Sequence, residues 1–274
     1  MLQTIDLPTG ASPESCAQAL LSTWNQGLVF HIRGPKPDVD LRDYYGRMME
    51  VAGEPARLAE DATIGDRQHQ RTQEVWMEVR YDPSVANAYR HSDQPQPLHT
   101  DGSYIPNFPN GGLLACVSQA NAGGETIFLD GRRLVQILAK RAPKLLAELT
   151  TVRVPHARSG DRKVTSVIRL SGGDGSEVLL NWNYYCVELT GGDNIEALRE
   201  DFFSFLAEDG EVAAATQPVR LEPGEALIWK DDRVLHGRNG FTPHAVSERF
   251  FWKAAFDVRP RSVRVPEPAT GVTS

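Results

Sequence analysis

Hydrophobic and polar positions near the start of the chain follow the spacing of two helices and one strand. Residues 12–24 carry apolar side chains every three to four positions, which predicts an amphipathic helix. Ser12 followed by Pro13 is typical of the first positions of a helix. The apolar run 27–33 predicts a buried strand, and residues 41–51 predict a second helix with four buried side chains. These four are Tyr44, Tyr45, Met48 and Met49.

Short strands dominate the pattern in the rest of the chain. Residues 53–71 are polar without clear periodicity, which predicts a loop that either covers a site or simply lies on the surface. Two helical segments, 131–149 and 194–207, interrupt the strands. The predicted strands are 74–79, 113–119, 126–129, 152–154, 164–170, 178–182, 218–221, 226–229 and 249–256.

Many short strands with few helices predict a fold that is mainly β with flanking helices, built as a barrel or a sandwich. We expect a single domain over residues 1–274, because no linker or repeat divides the chain. Its parts are N-terminal helices and a strand over 1–75, a barrel core with helical insertions over 76–258, and a loosely ordered tail over 259–274.

Composition narrows the classes of partner. The net charge is −7 and basic residues form no run, so nucleic acid is not an expected partner. We find no signal-peptide pattern and no apolar stretch long enough to cross a bilayer. Cys16, Cys116 and Cys186 are too far apart for a zinc knuckle and do not suggest a disulfide framework. We expect a cytoplasmic protein with a small-molecule substrate and no membrane or nucleic-acid partner, and a homo-oligomer stays open.

The candidate chemistry begins with His99 and Asp101, two positions apart within residues 98–102. Side chains two apart on an extended strand point to the same side, so an imidazole and a carboxylate can converge. A later histidine, His236, would complete a two-histidine, one-carboxylate set, the arrangement that holds non-haem Fe(II) with positions left open. The His-x-Asp pattern alone is weak, since surface loops produce it often, and zinc is an alternative metal.

Arg249 and Thr126 are candidates for binding a carboxylate. Arg249 opens the last predicted strand, where its guanidinium could form a bidentate pair with a carboxylate inside an apolar barrel. The alternative is a salt bridge from Arg249 to Glu248 or another surface carboxylate. Thr126 follows the turn at Gly123 and Gly124; its hydroxyl could bind the same carboxylate, or it could simply begin a hairpin strand.

Substrate contacts are predicted for Tyr104, Asn183 and Tyr185. Tyr104 lies three positions after Asp101, and the stretch 181–186 is rich in aromatic and amide side chains that could hold an amino acid or an amine. The alternative for this stretch is that Trp182 and Tyr184 are alternate core residues of a strand.

Three runs resemble the taurine dioxygenase and γ-butyrobetaine dioxygenase family of Fe(II)- and 2-oxoglutarate-dependent oxygenases. The runs are 97–101, 123–126 with Asp130, and 234–238 with Arg249. The resemblance implies a double-stranded β-helix, a jelly-roll-like barrel. It also implies that iron is bound by His99, Asp101 and His236, and 2-oxoglutarate by Arg249 with help from Thr126.

The implied activity is oxidation of an unactivated C–H bond in a small amino-acid-like, amine or secondary-metabolite substrate. Hydroxylation is the first expectation, with desaturation or cyclisation as variants, and O2 and 2-oxoglutarate are converted with release of succinate and CO2. The taurine enzymes carry a further Arg after the one that binds 2-oxoglutarate, whereas here Lys253 is the nearest cation after Arg249. Two other classes stay open: a zinc-dependent hydrolase with the same three ligands, and a barrel that binds a small molecule without turnover.

Overall fold

The computed structural model of this chain describes residues 1–34, 39–57, 74–85, 89–171, 177–189 and 193–259. Most of the predicted loop 53–71 and nearly all of the predicted tail 259–274 lie outside these ranges, so neither prediction is addressed there.

Helices and strands alternate along the described residues. The strands are β1 (Leu2–Asp6), β2 (Val29–Arg33), β3 (Gly53–Pro55), β4 (Met77–Arg80), β5 (Gln96–His99), β6 (Gly111–Ser118), β7 (Thr126–Asp130), β8 (Val154–Arg158), β9 (Asp161–Thr165), β10 (Ile168–Ser171), β11 (Glu177–Leu180), β12 (Gln217–Val219), β13 (Ala226–Lys230), β14 (Val234–Arg238) and β15 (Phe250–Val258). The α-helices are α1 (Pro13–Thr23), α2 (Leu41–Ala52), α3 (Gly131–Arg141), α4 (Pro143–Thr151), α5 (Asp193–Glu208) and α6 (Gly210–Ala215). Short 3₁₀ helices lie at Trp24–Gln26, Tyr89–His91 and Tyr184–Cys186.

The strands pair into two main sheets and two hairpins. The larger sheet has seven strands in the order β1-β2-β13-β6-β15-β3, with β4 also paired to β15. The smaller sheet has four strands in the order β12-β7-β14-β5. Strands β8 with β9 and β10 with β11 form separate antiparallel pairs. The pairing is antiparallel throughout the described strands except between β1 and β2.

The two main sheets pack face to face, and one apolar cluster fills the space between them. Strand β13 shows why, since its side chains alternate between two clusters. Leu227 and Trp229 turn toward the smaller sheet, while Ala226 and Ile228 turn outward. The shared cluster takes Phe128 and other side chains from the smaller sheet. Both sheets therefore bury one face against the other.

Helices cover the outer faces of both sheets. Helices α1 and α2 pack on the seven-stranded sheet, and the four side chains predicted to be buried in α2 are buried. Ser12 is the N-cap of α1, where its side chain accepts the Ser15 N–H, as the sequence predicted. Helices α3 to α6 pack with the two hairpins against the outer side of the smaller sheet, where Leu129 and Leu235 are buried. These features confirm a mainly β fold with flanking helices.

Several predicted elements are corrected by the structure. The helical segment 131–149 is two helices, because Pro143 has no N–H to continue α3 and instead begins α4. The predicted strand 164–170 is split between β9 and β10. Strand β3 lies at the start of the predicted loop 53–71, while β1 and α6 were not predicted.

The predicted barrel takes the form of two open sheets, and no closed barrel is found within the described ranges. Among the helices of the described residues, none is long and apolar enough to cross a membrane.

Candidate active site

The two candidate histidines lie side by side on neighbouring strands of the smaller sheet. His99 ends β5 and His236 is in the middle of β14, and the two residues are direct partners in the antiparallel register. Their ring centroids are 4.3 Å apart, and both side chains are buried. His236 belongs to strand β14, which was not among the strands predicted from the sequence.

Asp101 reaches the same point from a turn and not from the extended strand that the sequence predicted. Strand β5 ends at His99, and the chain then turns at Gly102, whose φ of +49° favours glycine. Asp101 Oδ1 lies 3.7 Å from His99 Nε2, and Asp101 Oδ2 lies 3.6 Å from His236 Nε2. The carboxylate therefore faces both imidazoles.

Hydrogen bonds from the neighbouring segment hold this turn in place. The Thr100 N–H donates to the Trp182 carbonyl at 2.7 Å, and the Trp182 N–H donates to Thr100 Oγ1 at 3.0 Å. The side-chain amide of Asn181 donates to the Ser103 carbonyl at 3.1 Å. Because these bonds are buried on both sides of Asp101, its backbone is fixed relative to the histidines.

These three side chains suit a divalent metal ion. One ligand atom from each lies within 4.8 Å of the others. His99 Nδ1 donates to the Pro97 carbonyl at 2.8 Å, which leaves the Nε2 lone pair on the side of Asp101, where the Gln96 amide approaches it at 3.3 Å. His236 Nε2 and Asp101 Oδ2 are buried without a hydrogen-bond partner, a costly state that an ion between them would relieve.

The electrostatics of the triad point the same way. Burial lowers the pKa of His236 to about 4, with a further contribution from His99, so this imidazole is neutral at pH 7. Burial alone would raise the pKa of Asp101, but the charge of Lys253 and the contact with His236 hold it well below the usual value. Neutral nitrogens and an ionised oxygen are the donors that a divalent ion requires.

Asp231 stands behind His236 and was not predicted. Its Oδ1 lies 3.5 Å from His236 Nδ1, and it accepts the Trp229 indole N–H at 3.0 Å and the Asp101 N–H at 3.2 Å. Burial and the charge of Asp101 raise its pKa well above the usual value. A carboxyl group behind a metal-ligating histidine orients the ring. Its only signal in the sequence is an acidic residue two positions after the apolar run that ends in Trp229.

Arg249 is almost fully buried, and its contacts differ from a surface salt bridge. Its Nε donates to the Gly124 carbonyl at 3.0 Å, and its guanidinium lies over the Phe251 ring at 4.2 Å. Glu248, the alternative partner, accepts backbone N–H groups from His244 and Asn121. Burial, followed by the charge of Arg238, lowers the pKa of Arg249 to about 9, so it is still cationic at pH 7.

The turn before Thr126 is shaped to fit Arg249. Gly124 has a φ of +73°, and a Cβ added there would lie 3.0 Å from both Cδ and Nε of Arg249. Thr126 is buried at the start of β7, and both Thr126 and Arg249 line the same cavity as the metal triad. The two residues predicted to bind a carboxylate are therefore brought to one cavity.

Arg238 is a buried neighbour of this region, and no separate role was predicted for it within the run 234–238. It pairs with Thr126 across β14 and β7. Its guanidinium donates to the carbonyls of Tyr89 at 3.1 Å, Ser92 at 2.8 Å and Gln94. Arg238 therefore holds the chain before β5 against the sheet.

The cavity has a volume of about 1080 Å³ and also contains the three candidate substrate residues. Tyr104 is buried, with the Arg158 guanidinium 6.0 Å from its ring. The Asn183 side chain accepts the Tyr185 N–H at 3.1 Å, so it also caps a 3₁₀ helix. Tyr185 is 51% exposed at the rim, and its hydroxyl lies 2.5 Å from that of Tyr89.

The core alternative applies to Trp182, while Tyr184 is partly buried against the same apolar cluster and also lines the cavity. Trp182 is fully buried and packs edge-on against Phe202 at 4.7 Å, away from the residues that line the cavity. Among the described histidines, cysteines and acidic residues, only His99, Asp101 and His236 form a group that could hold a metal ion. His31 instead meets Glu225 at 2.7 Å, and His69 lies outside the described ranges.

Comparison with known proteins gives a family match over nearly the whole chain. The sequence model of the family described as taurine catabolism dioxygenase TauD, TfdA matches residues 3–254. Trimethyllysine dioxygenase of Neurospora crassa is 28% identical over 129 residues, 44% of this chain and 27% of that protein. Human γ-butyrobetaine dioxygenase is 25% identical over 153 residues, 53% of this chain and 39% of that protein. The matches thus span well under two thirds of these relatives.

A solved structure shows the same fold. Asparagine oxygenase, crystallised with Fe(II), 2S,3S-3-hydroxyasparagine and succinate, superimposes with a TM-score of 0.67 at 15% identity. The superposition covers 89% of this chain and 78% of that chain. At this identity the likeness concerns the fold, and it confirms the prediction of a double-stranded β-helix.

Proposed function

We infer the activity of this chain from one premise: the chain belongs to the taurine catabolism dioxygenase TauD, TfdA family. We propose that it is an Fe(II)- and 2-oxoglutarate-dependent dioxygenase that oxidises a C–H bond of a small substrate. The observation that carries the proposal is the meeting of His99, Asp101 and His236 with the buried cation Arg249 in one cavity. A metal triad alone is compatible with several reactions. A buried guanidinium in the same cavity favours an anionic co-substrate, because a carboxylate would pair with its charge.

Each group has a distinct role in this proposal. His99, Asp101 and His236 would hold Fe(II) on one side and leave its other side open. Arg249 would neutralise the distal carboxylate of 2-oxoglutarate, and the Thr126 hydroxyl would donate a hydrogen bond to the same group. Bound together, Fe(II) and 2-oxoglutarate supply the activation of O2 that oxidises the substrate, with release of succinate and CO2.

The rest of the cavity would position the substrate. Tyr104 contributes a buried ring near Asp101, and Asn183 and Tyr185 contribute polar atoms toward the mouth. Holding one C–H bond close to the metal while excluding water is the main contribution that the protein makes. The relatives are named for trimethyllysine and γ-butyrobetaine, and the similar structure for asparagine. Their names support an amino-acid-like or amine substrate, including one from secondary metabolism, with hydroxylation as the first outcome to test.

The remaining expectations belong to the same proposal. The three apolar clusters share the strands of the two main sheets, which supports a single catalytic domain. All three cysteines are buried thiols, which supports a reducing compartment such as the cytoplasm.

The test is an anaerobic titration of the purified protein with Fe(II) and then 2-oxoglutarate. We expect the weak visible absorption band of the Fe(II)–2-oxoglutarate complex, and we expect it to be lost in His236→Ala and weakened in Arg249→Leu. Succinate release in air would then be measured with trimethyllysine, γ-butyrobetaine and L-asparagine as candidate substrates. Fe(II) binding without the band would contradict the proposal. Turnover that needs neither O2 nor 2-oxoglutarate would favour a zinc-dependent hydrolase instead.

A further inference from the structure

Lys253 connects the seven-stranded sheet to the metal triad of the smaller sheet. It lies in the middle of β15, opposite Leu114 of β6, and its ammonium nitrogen is 2.6 Å from Asp101 Oδ1. The side chain is 21% exposed and lines the cavity, so the contact is largely enclosed. Lys253 and Asp101 are 152 residues apart in the chain, so only the folded pair of sheets brings them together.

This contact makes the two oxygens of Asp101 different. Oδ1 accepts the short hydrogen bond from Lys253, while Oδ2 is buried, has no hydrogen-bond partner and lies 3.6 Å from His236 Nε2. A carboxylate without such a bond can rotate, and it can bind an ion through either oxygen or through both. With Oδ1 occupied, Oδ2 is the oxygen left without a partner, and it faces His236, whereas Oδ1 lies 3.7 Å from His99 Nε2.

We propose that Lys253 is a positioning residue that fixes which oxygen of Asp101 binds the metal. By holding Oδ1, it presents Oδ2 and limits Asp101 to one donor atom, so that the triad supplies three ligand atoms. Three protein ligands leave the open positions that the proposed co-substrate and O2 need. The inference rests on the proposed function for the identity of the metal, but the hydrogen bond itself does not depend on it.

The alternative role for Lys253 is that of a counter-ion that merely neutralises a buried carboxylate. The two roles predict opposite changes in metal affinity when the lysine is removed. If Lys253 is a positioning residue, its removal lowers the affinity for Fe(II), because outer hydrogen bonds to metal ligands typically contribute about 10- to 100-fold to metal affinity. If Lys253 is only a counter-ion, its removal leaves the affinity for Fe(II) unchanged or raises it, because its positive charge repels the incoming ion.

The experiment is an anaerobic equilibrium titration of the full-length protein with Fe(II) alone, comparing Lys253→Met and Lys253→Gln with wild type. Methionine removes both the charge and the donor, whereas glutamine removes the charge and keeps an N–H donor on a side chain that is one bond shorter. We expect the Kd for Fe(II) to rise by about 10- to 100-fold in Lys253→Met and to recover in part in Lys253→Gln. The matched control is Lys230→Met, a lysine on the same sheet whose ammonium lies over Trp24, outside the cavity, and its Kd should match wild type.

Two further measurements separate the explanations. Melting of the metal-free variants, followed by circular dichroism, shows whether a change in Kd comes from lost folding, in which case Lys253→Gln still provides the comparison. An unchanged or lower Kd in Lys253→Met would overturn the positioning role. The 2-oxoglutarate band of the wild-type protein tests the proposed function separately, since a missing band leaves the comparison of Fe(II) affinities intact.

Discussion

The two main sheets contribute opposite kinds of chemistry to the cavity between them. The four-stranded sheet and its connecting turn supply the electron-pair donors His99, Asp101 and His236. The seven-stranded sheet supplies positive charge through β15 and the residue before it, in Lys253 and Arg249. Donors for a metal and cations for carboxylates therefore face each other across one space.

The difference has a physical cause. His236 of the smaller sheet and His156 of the neighbouring hairpin are kept neutral by burial, which lowers the pKa of each to about 4. Arg249 stays cationic despite its burial, because a guanidinium ordinarily titrates above pH 12. The same low-polarity environment thus gives neutral ligands on one side and a retained positive charge on the other.

The largest expected effect comes from removing a donor of the smaller sheet. His236→Ala should weaken Fe(II) binding by more than about 100-fold, since even outer residues of metal sites contribute up to that amount. Anaerobic equilibrium dialysis against Fe(II) measures the loss. His31→Ala is the matched control, because His31 meets Glu225 instead of the triad. Wild-type affinity in His236→Ala would remove this histidine from the metal site.

Removing a cation of the larger sheet should leave metal binding intact and affect the co-substrate. Arg249→Leu should raise the KM for 2-oxoglutarate by about 10- to 100-fold, which corresponds to the loss of a charge-assisted hydrogen-bonded pair. Arg249→Lys should recover only part of this, because lysine lacks the planar fork. The control is Arg162→Leu, whose side chain pairs with Glu188 on the surface. A loss of Fe(II) affinity of about 10- to 100-fold in Arg249→Leu would contradict the assignment of metal binding to the smaller sheet and of co-substrate binding to the larger one.

A third prediction concerns the neutral histidine of the hairpin strand β8. Burial lowers the pKa of His156 to about 4, while the unfolded chain takes up a proton near the ordinary value of about 6.5. Its contribution to the free energy of unfolding is complete above about pH 6.5 and is lost as the pH falls toward 4.

Urea unfolding of the metal-free protein at pH 7.5 and pH 5.0 tests this sign. The decrease in the free energy of unfolding between the two pH values should be smaller in His156→Gln than in wild type, by roughly 2 kcal/mol. All other ionisable groups are common to both proteins, so their contribution cancels in this comparison. An identical pH dependence in the two proteins would mean that the pKa of His156 is the same in the folded and the unfolded chain.

The smallest effect is expected at Thr126. Thr126→Val should raise the KM for 2-oxoglutarate about tenfold, which corresponds to the loss of about 1.5 kcal/mol for one hydrogen bond to a charged carboxylate. Thr126→Ser keeps the hydroxyl and should behave as wild type in the same assay of succinate release. A full effect in both variants would point to packing at the start of β7 instead of a hydrogen bond.

Local patterns in the sequence were enough to predict several elements of the fold and to single out the candidate ligands. Helix α1 follows from Ser12, Pro13 and the apolar spacing, and β13 from four consecutive apolar residues. The ligands His99 and Asp101 stand out because they are two positions apart, and His236 because a resembling motif surrounds it. Each of these signals is contained within a few consecutive residues of the chain.

Contacts between distant elements could not be predicted in this way. Strand β14 contains His236 and Gly237 after a charged turn, and it forms a strand because it lies between β5 and β7. The bond between Lys253 and Asp101 depends on the packing of two sheets, and so does the place of Asp231 behind His236. Burial, which sets the pKa values in the site, is likewise a property of the assembled fold.

The direct pairing of His236 with His99 has a consequence for how the chain reaches its native state. If β14 slipped by one residue against β5, Leu235 or Gly237 would take the place of His236, and the imidazole would point to the helices. The candidate metal site thus exists in one register only, so its three side chains meet only in chains whose strands β5 and β14 are correctly paired.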